Sequence, residues 1–218
     1  MHTLSRRERE RTLRREALLD VAATVFFEQG FDASIEAIAA RAGIAKGTVY
    51  LSFASKDDIL LLLVCRGLDR MIAMFDEAAA SGGDARARVL AFGEAYHRFS
   101  TTEPDYYRLL NDMSGTSPLT QAGDDVRAQL RERADAAWSV ITCMLQEGID
   151  SGALRGDLTA FEMAMILWSS ATGVLRQIST MRAIEDPDHA GSSFSMQTVD
   201  TKRIYDATIA LLADSLAR

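Results

Sequence analysis

Residues 34–56 constrain the fold more than any other stretch, because a break of only a few residues separates two short helical patterns there. The first pattern has apolar residues at i, i+3, i+4 and i+7, namely Ile35, Ile38, Ala39 and Ala42. Ser34 can cap this helix, and Gly43 stands where a left-handed residue usually ends one. A helical pattern resumes at Ala45–Tyr50. Two short helices joined by a glycine-containing turn predict a helix-turn-helix, whose second helix lies in the DNA major groove.

The second helix of this unit carries hydrogen-bond donors at Lys46, Thr48, Tyr50 and Ser52. Such donors suit phosphate oxygens, and Lys46 can alternatively reach a guanine edge. Gly47 lies inside the short helix, where glycine costs about 1 kcal/mol relative to alanine. Its presence is explained either by close packing on another helix or, as we favour, by close approach of the backbone to DNA. Val49 and Phe53 are predicted to face inward and hold the helix to the core.

A third helix is predicted to begin after Ser55, a capping serine with the acidic Asp58 at the third helical position. Lys56 takes the first helical position, where the helix dipole disfavours a cation. A DNA phosphate bound at this helix N-terminus would account for the lysine. The alternative is an exposed lysine with no role in binding.

The charged run Arg6–Glu16 has two interpretations. It is either the solvated start of a helix, with Glu10 and Arg14 paired at i, i+4, or an arm that reaches phosphates or the minor groove. The N-terminal part of the chain is basic and the remainder is acidic. Residues 1–56 hold nine Arg and Lys against seven Asp and Glu, whereas the remaining residues hold 15 Arg and Lys against 24 Asp and Glu. A local basic patch is sufficient for phosphate contacts, even though the formal net charge is −7.

The stretch resembles the signature of the TetR family of bacterial transcription regulators. The matching residues, at the family's spacing, are Ser34, Ile38-Ala39, Ala42-Gly43-Ile44, Gly47-Thr48, Tyr50, Phe53, Ser55-Lys56 and Ile59. The resemblance implies contacts with operator DNA by Lys46, Gly47, Thr48, Tyr50, Ser52 and Lys56, and we assign Ser34 to the same DNA-binding set. Ala45 replaces the serine usual in the family, so we expect the recognition helix to lack a side-chain cap. Leu51-Ser52 replaces a bulkier pair and leaves the base preference open.

Composition and periodicity predict an all-α protein of about nine helices, because the 218 residues include only three prolines and few alternating apolar runs. We assign residues 10–70 to the DNA-binding domain, with the helix-turn-helix at 34–53. Residues 71–218 are assigned to a helical domain for effector binding and dimerisation. The start of the chain has no apolar segment after its charges, and the longest wholly apolar run, Ile59–Cys65, is too short to span a bilayer. A cytoplasmic protein is therefore expected.

Helical patterns follow the helix-turn-helix at Asp57–Ala80, Asp84–Thr101, Pro104–Asp112, about Thr120–Ser151, about Thr159–Met181 and about Thr198–Leu216, with a polar linker at 182–197. Their aromatic and methionine side chains, taken singly, are better explained as ordinary core. The resemblance implies an effector pocket between the helices, and we assign to it Phe92, Tyr96, Phe99, Tyr107, Met113, Trp138, Met144 and Trp168. A mostly apolar pocket favours a largely hydrophobic small molecule.

The last helix carries more apolar surface than one buried face requires. We assign to a dimer interface Ile204, Thr208, Leu211 and Leu212. The resemblance implies a homodimer in which the two terminal helices of each chain form a four-helix bundle. A two-fold dimer also suits a pseudo-palindromic operator.

These features predict a DNA-binding regulator, taken as a homodimeric repressor that a small hydrophobic effector releases, with no cofactor, metal or membrane partner. An enzyme is disfavoured, because three histidines and the distant Cys65 and Cys143 form no metal or nucleophile motif. A ligand carrier would share the apolar body but would not need Gly47 or Lys56. An activator, or a repressor controlled by a protein partner, is a further alternative.

Overall fold

The computed structural model describes residues 5–112, 122–184 and 200–217. Within these ranges the chain forms nine helices and no strand, which confirms the predicted all-α class. The helices are α1 (Arg6–Gln29), α2 (Ile35–Ala42), α3 (Lys46–Ser52), α4 (Lys56–Ala80), α5 (Ala85–Thr102), α6 (Pro104–Asp112), α7 (Asp124–Asp150), α8 (Ala160–Ile184) and α9 (Thr201–Leu216). None of these described helices has the length and apolar character needed to cross a membrane.

Two helices begin later than their sequence patterns predicted. Helix α7 begins at Asp124 and not near Thr120, since the described residues before it are not helical. Helix α9 begins at Thr201, because the Asp200 side chain accepts a hydrogen bond from the amide of Arg203, at 2.9 Å, and caps the helix there. The predicted pocket residue Met113, and residues 185–197 of the predicted linker, lie outside the described residues.

The packing of the chain defines two compact units. The first contains the chain up to Asp69 together with Glu103–Ala134, and the second contains Arg70–Thr102 together with the chain from Asp135 onward. Helix α6 and the first part of α7 therefore pack with the N-terminal helices. The sequence prediction placed both in the C-terminal domain, and the assignment of functional domains at residue 70 stays a prediction.

Helix α1 begins with a capping box that makes the charged run helical. The Ser5 hydroxyl accepts a hydrogen bond from the Glu8 amide at 3.3 Å, and the Glu8 carboxylate accepts one from the Ser5 amide at 2.7 Å. The hydrogen bond from the Ser5 amide to the carboxylate is the main cause that lowers the pKa of Glu8. Glu10 pairs with Arg6, at 3.0 Å, where the sequence predicted Arg14. Residues 6–16 are thus the first turns of a long helix, and all of them except Arg15 are exposed.

The core of the first unit is built from apolar stripes on four helices. Its fully or nearly fully buried side chains include Val25, Phe26, Ile38, Val49, Ile59 and Leu63. Burying a side chain of this size stabilises a fold by about 1.5–3 kcal/mol. Gly30, with φ of 91°, ends α1, and its amide donates a hydrogen bond to the carbonyl of Phe26 at 2.9 Å. These stripes hold α2, α3 and the start of α4 against α1.

Asp58 joins the start of α4 to the segment before α7 within the first unit. Its amide donates a hydrogen bond to the Ser55 hydroxyl at 3.0 Å, as the predicted cap requires. Its carboxylate accepts hydrogen bonds from the amides of Ala54, at 3.1 Å, and Gly123, at 2.8 Å. Only 5% of Asp58 is exposed, so these donors replace the water that a buried carboxylate loses.

Helix α6 belongs to the first unit because its aromatic face packs on α1 and α4. The rings of Phe27 and Tyr106 meet edge to face, with centroids 5.1 Å apart. A Cβ added at Gly67 would lie 3.2 Å from the Tyr106 ring, so the α4 backbone approaches α6 closely at this glycine. Arg108 also donates a hydrogen bond to the carbonyl of Phe27 at 3.2 Å.

The second unit packs α9 against α5 and α8. The Tyr205 hydroxyl donates a hydrogen bond to the carbonyl of Gly93 at 2.8 Å. A Cβ added at Gly93 would lie 2.6 Å from a methyl group of Ile209, so this position of α5 accommodates only glycine without rearrangement. At one end of α9, Arg182 of α8 donates a hydrogen bond to Thr201 at 2.8 Å. The buried residues of α9 are Tyr205, Ile209, Ala213 and Leu216.

Candidate DNA-binding site

The reading head, as we call residues 34–56, has the helix ends that its sequence predicts. The Ser34 hydroxyl accepts a hydrogen bond from the Ala37 amide at 3.2 Å and caps α2. Gly43 is left-handed, with φ of 67° and ψ of 31°, and ends the helix. The amide of Ile44 donates a hydrogen bond to the carbonyl of Ala39 at 3.0 Å, which fixes the turn before α3. The helix-turn-helix is therefore set largely by local chemistry.

Helix α3 has one anchored side and one open side. Val49 is fully buried and Phe53 is 3% exposed, as predicted for the inward anchors. The predicted DNA-binding residues Ser34, Lys46, Gly47, Thr48 and Tyr50 are all exposed, and Ser52 and Lys56 are half-buried. Ala45 provides no side-chain cap for α3, as the sequence predicted. The first unit thus leaves the donor-bearing side of α3 accessible to a ligand.

The surroundings of Gly47 bear on why a glycine occupies this position, for which helix packing and approach to DNA were the two explanations. A Cβ added at this position would meet no atom within 4 Å among the described residues. Close packing on another helix of the chain therefore does not account for the glycine. Approach of the backbone to DNA remains the explanation, and it stays a prediction.

Arg15 of α1 positions the end of α3, and the sequence analysis did not identify it. Its Nε donates a hydrogen bond to the carbonyl of Ser52 at 3.3 Å, and its guanidinium lies 5.1 Å from the centroid of the Phe53 ring. The carbonyl of Ser52 is one of the groups that a helix C-terminus leaves without an intrahelical donor. Arg15 is one of six arginines in Arg6–Glu16, and the pattern of the run does not distinguish it from the others.

Lys46 is held by two neighbours in the DNA-free chain. Its ammonium group donates a hydrogen bond to the Glu36 carboxylate on α2 and lies 5.8 Å from the centroid of the Tyr50 ring. The hydrogen bond to Glu36 is the main cause that raises the pKa of Lys46, and the same hydrogen bond lowers the pKa of Glu36. Glu36 is a second residue that the sequence analysis did not identify.

Lys56 is the first residue of α4, as predicted from the capping serine before it. The residue is half-buried, and its Nζ lies 5.8 Å from the centroid of the buried Phe26 ring. The ammonium group of Lys56 therefore lies over an aromatic ring of the core. Lys56 is thus not fully exposed, and its role in DNA binding stays a prediction.

The residues predicted to line an effector pocket belong to both compact units. Phe92, Tyr96, Phe99 and Met144 are buried in the second unit, where the Tyr96 hydroxyl shares a hydrogen bond with Thr172 at 2.8 Å. Trp138 and Trp168 form an aromatic cluster with Phe161, at centroid distances of 5.3 and 5.4 Å from Trp138. Tyr107 belongs to the first unit, and Met113 is outside the described residues.

The second unit contains a surface cavity of 360 Å³ between α5 and α9, and the predicted pocket residues do not line it. It is lined by Leu90, Gly93, Glu94, Lys202, Tyr205, Asp206, Ile209 and Ala210. Lys202 pairs there with Glu94, at 2.7 Å, and with Asp206, at 2.5 Å. No metal-ligating cluster is found among the described residues.

The residues predicted for a dimer interface lie beside the buried face of α9. Ile204 is 43% exposed and Leu211 is 71% exposed, whereas Thr208 and Leu212 are half-buried. The buried face of the same helix contacts α5 and α8. Apolar surface therefore remains on α9 after it has packed into its own unit.

Comparisons with known proteins agree with this geometry. Residues 18–63 match the family model of bacterial regulatory proteins, tetR family, and residues 89–212 match a tetracyclin repressor-like C-terminal domain. The HTH-type transcriptional activator FasR of Mycolicibacterium smegmatis is 32% identical over 161 residues, which cover 72% of this chain and 70% of that protein. The fatty acid metabolism regulator protein of Bacillus subtilis is 29% identical over 143 residues, 65% of this chain and 71% of that protein.

A solved structure shares the fold over nearly the whole chain. The transcriptional regulator FadR from Bacillus subtilis, in complex with stearoyl-CoA, superposes with a TM-score of 0.66 at 19% sequence identity. The match covers 91% of this chain and 97% of that one.

Proposed function

The chain belongs to the TetR family of bacterial regulatory proteins, and we propose that it is a homodimeric repressor that a small hydrophobic effector releases from its operator. The relatives are DNA-binding transcriptional regulators, so the chain is one too, and the prediction that it is not an enzyme is confirmed. The dimer, the sign of regulation and the effector are our proposals. We also propose that the protein is cytoplasmic, since bacterial operator DNA lies in that compartment.

The arrangement of α3 carries the proposal. Its anchor Val49 is fully buried while Lys46, Thr48 and Tyr50 are exposed. The helix can therefore present hydrogen-bond donors to a DNA groove while Val49 stays packed in the core of the first unit. The exposed N-terminus of α2 at Ser34 and the N-terminus of α4 at Lys56 supply further phosphate contacts in the proposed complex. In this arrangement the phosphate contacts, among them that of Lys46 on α3, fix the register, and other side chains of α3 read the bases.

The exposed apolar side chains of α9 support a homodimer. Ile204 and Leu211 present apolar surface to solvent although the opposite face of the helix is already buried. Exposed apolar surface on a helix with a filled core face is typical of a protein interface. A two-fold dimer places two recognition helices on one pseudo-palindromic operator, one helical turn of DNA apart or a multiple of it.

We propose a long-chain acyl-CoA, or an acyl compound of similar length, as the effector. The support is the name of one relative, a fatty acid metabolism regulator, and the stearoyl-CoA in the complex of another. The second unit offers Phe92, Phe99 and Met144 as apolar surface for an acyl chain, once their present packing opens. The predicted pocket residues Tyr96, Tyr107, Met113, Trp138 and Trp168 stay part of this proposal.

Release from DNA is proposed to follow a shift between two states of the dimer. The effector favours a state whose recognition helices are spaced more widely than the DNA groove repeat, and operator affinity falls. Effector and operator must then weaken each other's binding by the same factor, because the coupling free energy is reciprocal. One relative is named an activator, so the sign of regulation needs a direct test.

Selection from random DNA duplexes with the full chain tests the proposal. We expect enrichment of a pseudo-palindromic sequence, and band-shift titration of that duplex should show weaker binding in saturating stearoyl-CoA but not in free CoA. Expression of a reporter gene that carries the operator at its promoter should fall when the protein is added. Failure to enrich any sequence would overturn the proposal that the protein regulates transcription by binding a specific operator. Enrichment with unchanged affinity in stearoyl-CoA would overturn only the acyl-CoA effector, and a reporter that rises would overturn only repression.

A further inference from the structure

Glu36 contacts a predicted DNA-binding residue but belongs to no predicted set. It lies in the first turn of α2, exposed, and its carboxylate accepts a hydrogen bond from the ammonium group of Lys46 on α3. We infer that Glu36 competes with DNA phosphates for Lys46 and so lowers the affinity of the reading head for DNA of any sequence. This inference rests on the proposed DNA-binding function and adds a residue that limits binding.

A carboxylate and a phosphate bind the ammonium group of Lys46 through the same kind of interaction. Each presents anionic oxygens that accept hydrogen bonds from the three donors of the ammonium group. Because the ammonium group is a compact charge, it can bind either anion. The side chains of Lys46 and Glu36 are 49% and 60% exposed, so water and DNA reach both of them. The ion pair is therefore exchangeable, and Glu36 acts as a competitor and does not lock the lysine.

When a DNA phosphate replaces Glu36 as the partner of Lys46, the Glu36 carboxylate is left in an unfavourable electrostatic environment. When a phosphate takes Lys46, the Glu36 carboxylate loses its partner and faces a second anion across a short distance. Phosphate contacts carry no sequence information, so this cost is the same for operator and for unrelated DNA. Base contacts by α3 are not affected. The competition thus weakens the part of the affinity that would otherwise hold the protein on unrelated DNA.

A second ion pair in the first unit provides a matched control. Arg41 of α2 donates two hydrogen bonds to the Glu28 carboxylate of α1, at 3.1 and 3.2 Å, and both side chains are about half exposed. Helical periodicity places Arg41 and Glu36 on opposite sides of the buried stripe of α2. Glu28→Gln therefore removes the same charge, from an exposed ion pair of the same unit, without touching Lys46.

A double-mutant cycle with the full chain tests the competition on a short duplex of arbitrary sequence, followed by fluorescence anisotropy at low salt. Glu36→Gln should tighten binding about two- to five-fold, the range expected from releasing an exposed ion pair. Lys46→Met should weaken binding, and adding Glu36→Gln to Lys46→Met should then change the dissociation constant little. Glu28→Gln should tighten binding less than Glu36→Gln does.

Each other result overturns the inference, and the results tell it apart from the proposed function. If Glu36→Gln tightens binding equally with Lys46 and with Met at position 46, Glu36 only repels phosphates and does not compete for the lysine. If Lys46→Met binds as tightly as the natural chain, Lys46 is not a phosphate contact, while the regulator proposal stands. If the natural chain binds no DNA at all, both fail together.

A measurement without DNA shows that the variants fold and that the pair exists. The Glu36 carboxyl, followed by NMR in the full chain, should titrate with a pKa below that of an ordinary glutamate, since Lys46 stabilises its charged form. In Lys46→Met that pKa should rise toward the ordinary value, because the largest of its lowering contacts is lost, while the helical circular dichroism is unchanged. A Glu36 pKa that is the same in both chains would overturn the pairing itself.

Discussion

Helices α3 and α9 are built alike and differ in the chemistry of their open sides. Each buries one face in its own compact unit, through Val49 in α3 and through Tyr205 and Ile209 in α9. The open side of α3 presents the donors Lys46, Thr48 and Tyr50, whereas α9 presents Ile204 and Leu211. Burial alone therefore does not identify a partner. Donors suit phosphates and base edges, and apolar side chains suit another protein surface.

One residue of α3 departs from this contrast and makes it testable. Leu51 is 79% exposed, slightly more than Leu211 of α9 at 71%. The two leucines have the same chemistry and nearly the same exposure but lie on helices to which we assign different partners. An identical substitution at each position asks which helix faces protein and which faces DNA.

The largest effect is expected from Leu211→Asp. A charge placed in an apolar interface would lose its water without gaining a partner, so the dimer should dissociate. Operator affinity should fall by roughly 100-fold or more, because a monomer loses the gain from binding two half-sites together. Sedimentation velocity measures the first effect and band-shift titration the second.

Leu51→Asp is the matched control for Leu211→Asp. It should stay dimeric and lose less operator affinity, since it adds one carboxylate beside the phosphates. If Leu51→Asp dissociates the protein, or if Leu211→Asp remains dimeric, the assignment of partners to the two helices is wrong.

A smaller effect, on the DNA side alone, is expected from Lys56→Ala. Removing a phosphate contact should weaken binding to all sequences alike and lower the slope of log affinity against log salt by about one. Lys202→Ala removes the same charge from α9 and should leave that slope unchanged. Wild-type affinity and slope in Lys56→Ala would show that Lys56 serves only its contact with Phe26.

The helix ends of the reading head could be predicted because their causes are local. Ser34, Gly43 and Ser55 act on amides or carbonyls within a few residues of themselves, so spacing along the chain is sufficient to find them. The buried side of α3 followed from the four-residue spacing of Val49 and Phe53 for the same reason. Periodicity likewise predicted the described helices from α2 onward and most of their ends.

The features that the sequence analysis missed depend on contacts between distant residues. Arg15 reaches Ser52 from 37 positions away, and Asp58 reaches Gly123 from 65. The contact between Tyr106 and Phe27 likewise explains why α6 packs with the first unit, although its periodicity resembles that of the helices around it. Periodicity gives the buried face of a helix but not the helix that covers it.

The smallest effect is expected at the anchored side of α3, from Arg15→Ala. The variant loses the hydrogen bond to the Ser52 carbonyl and the stacking on Phe53, which together should lower the free energy of unfolding by about 1 kcal/mol. Urea unfolding of the full chain measures this loss. Operator affinity should fall a few-fold at most, because the end of α3 becomes less ordered while its donors remain.

Arg14→Ala is the control for Arg15→Ala, because it removes the same charge from the next position of α1. Arg14 is exposed and has no ion-pair or hydrogen-bond partner among the described residues, so its loss should leave the free energy of unfolding within about 0.5 kcal/mol of the natural value. Equal losses for the two variants would mean that removing a positive charge from α1, and not the contacts of Arg15, destabilises the unit. A loss confined to Arg15→Ala would show that the donor side of α3 is held in place from its opposite side by α1.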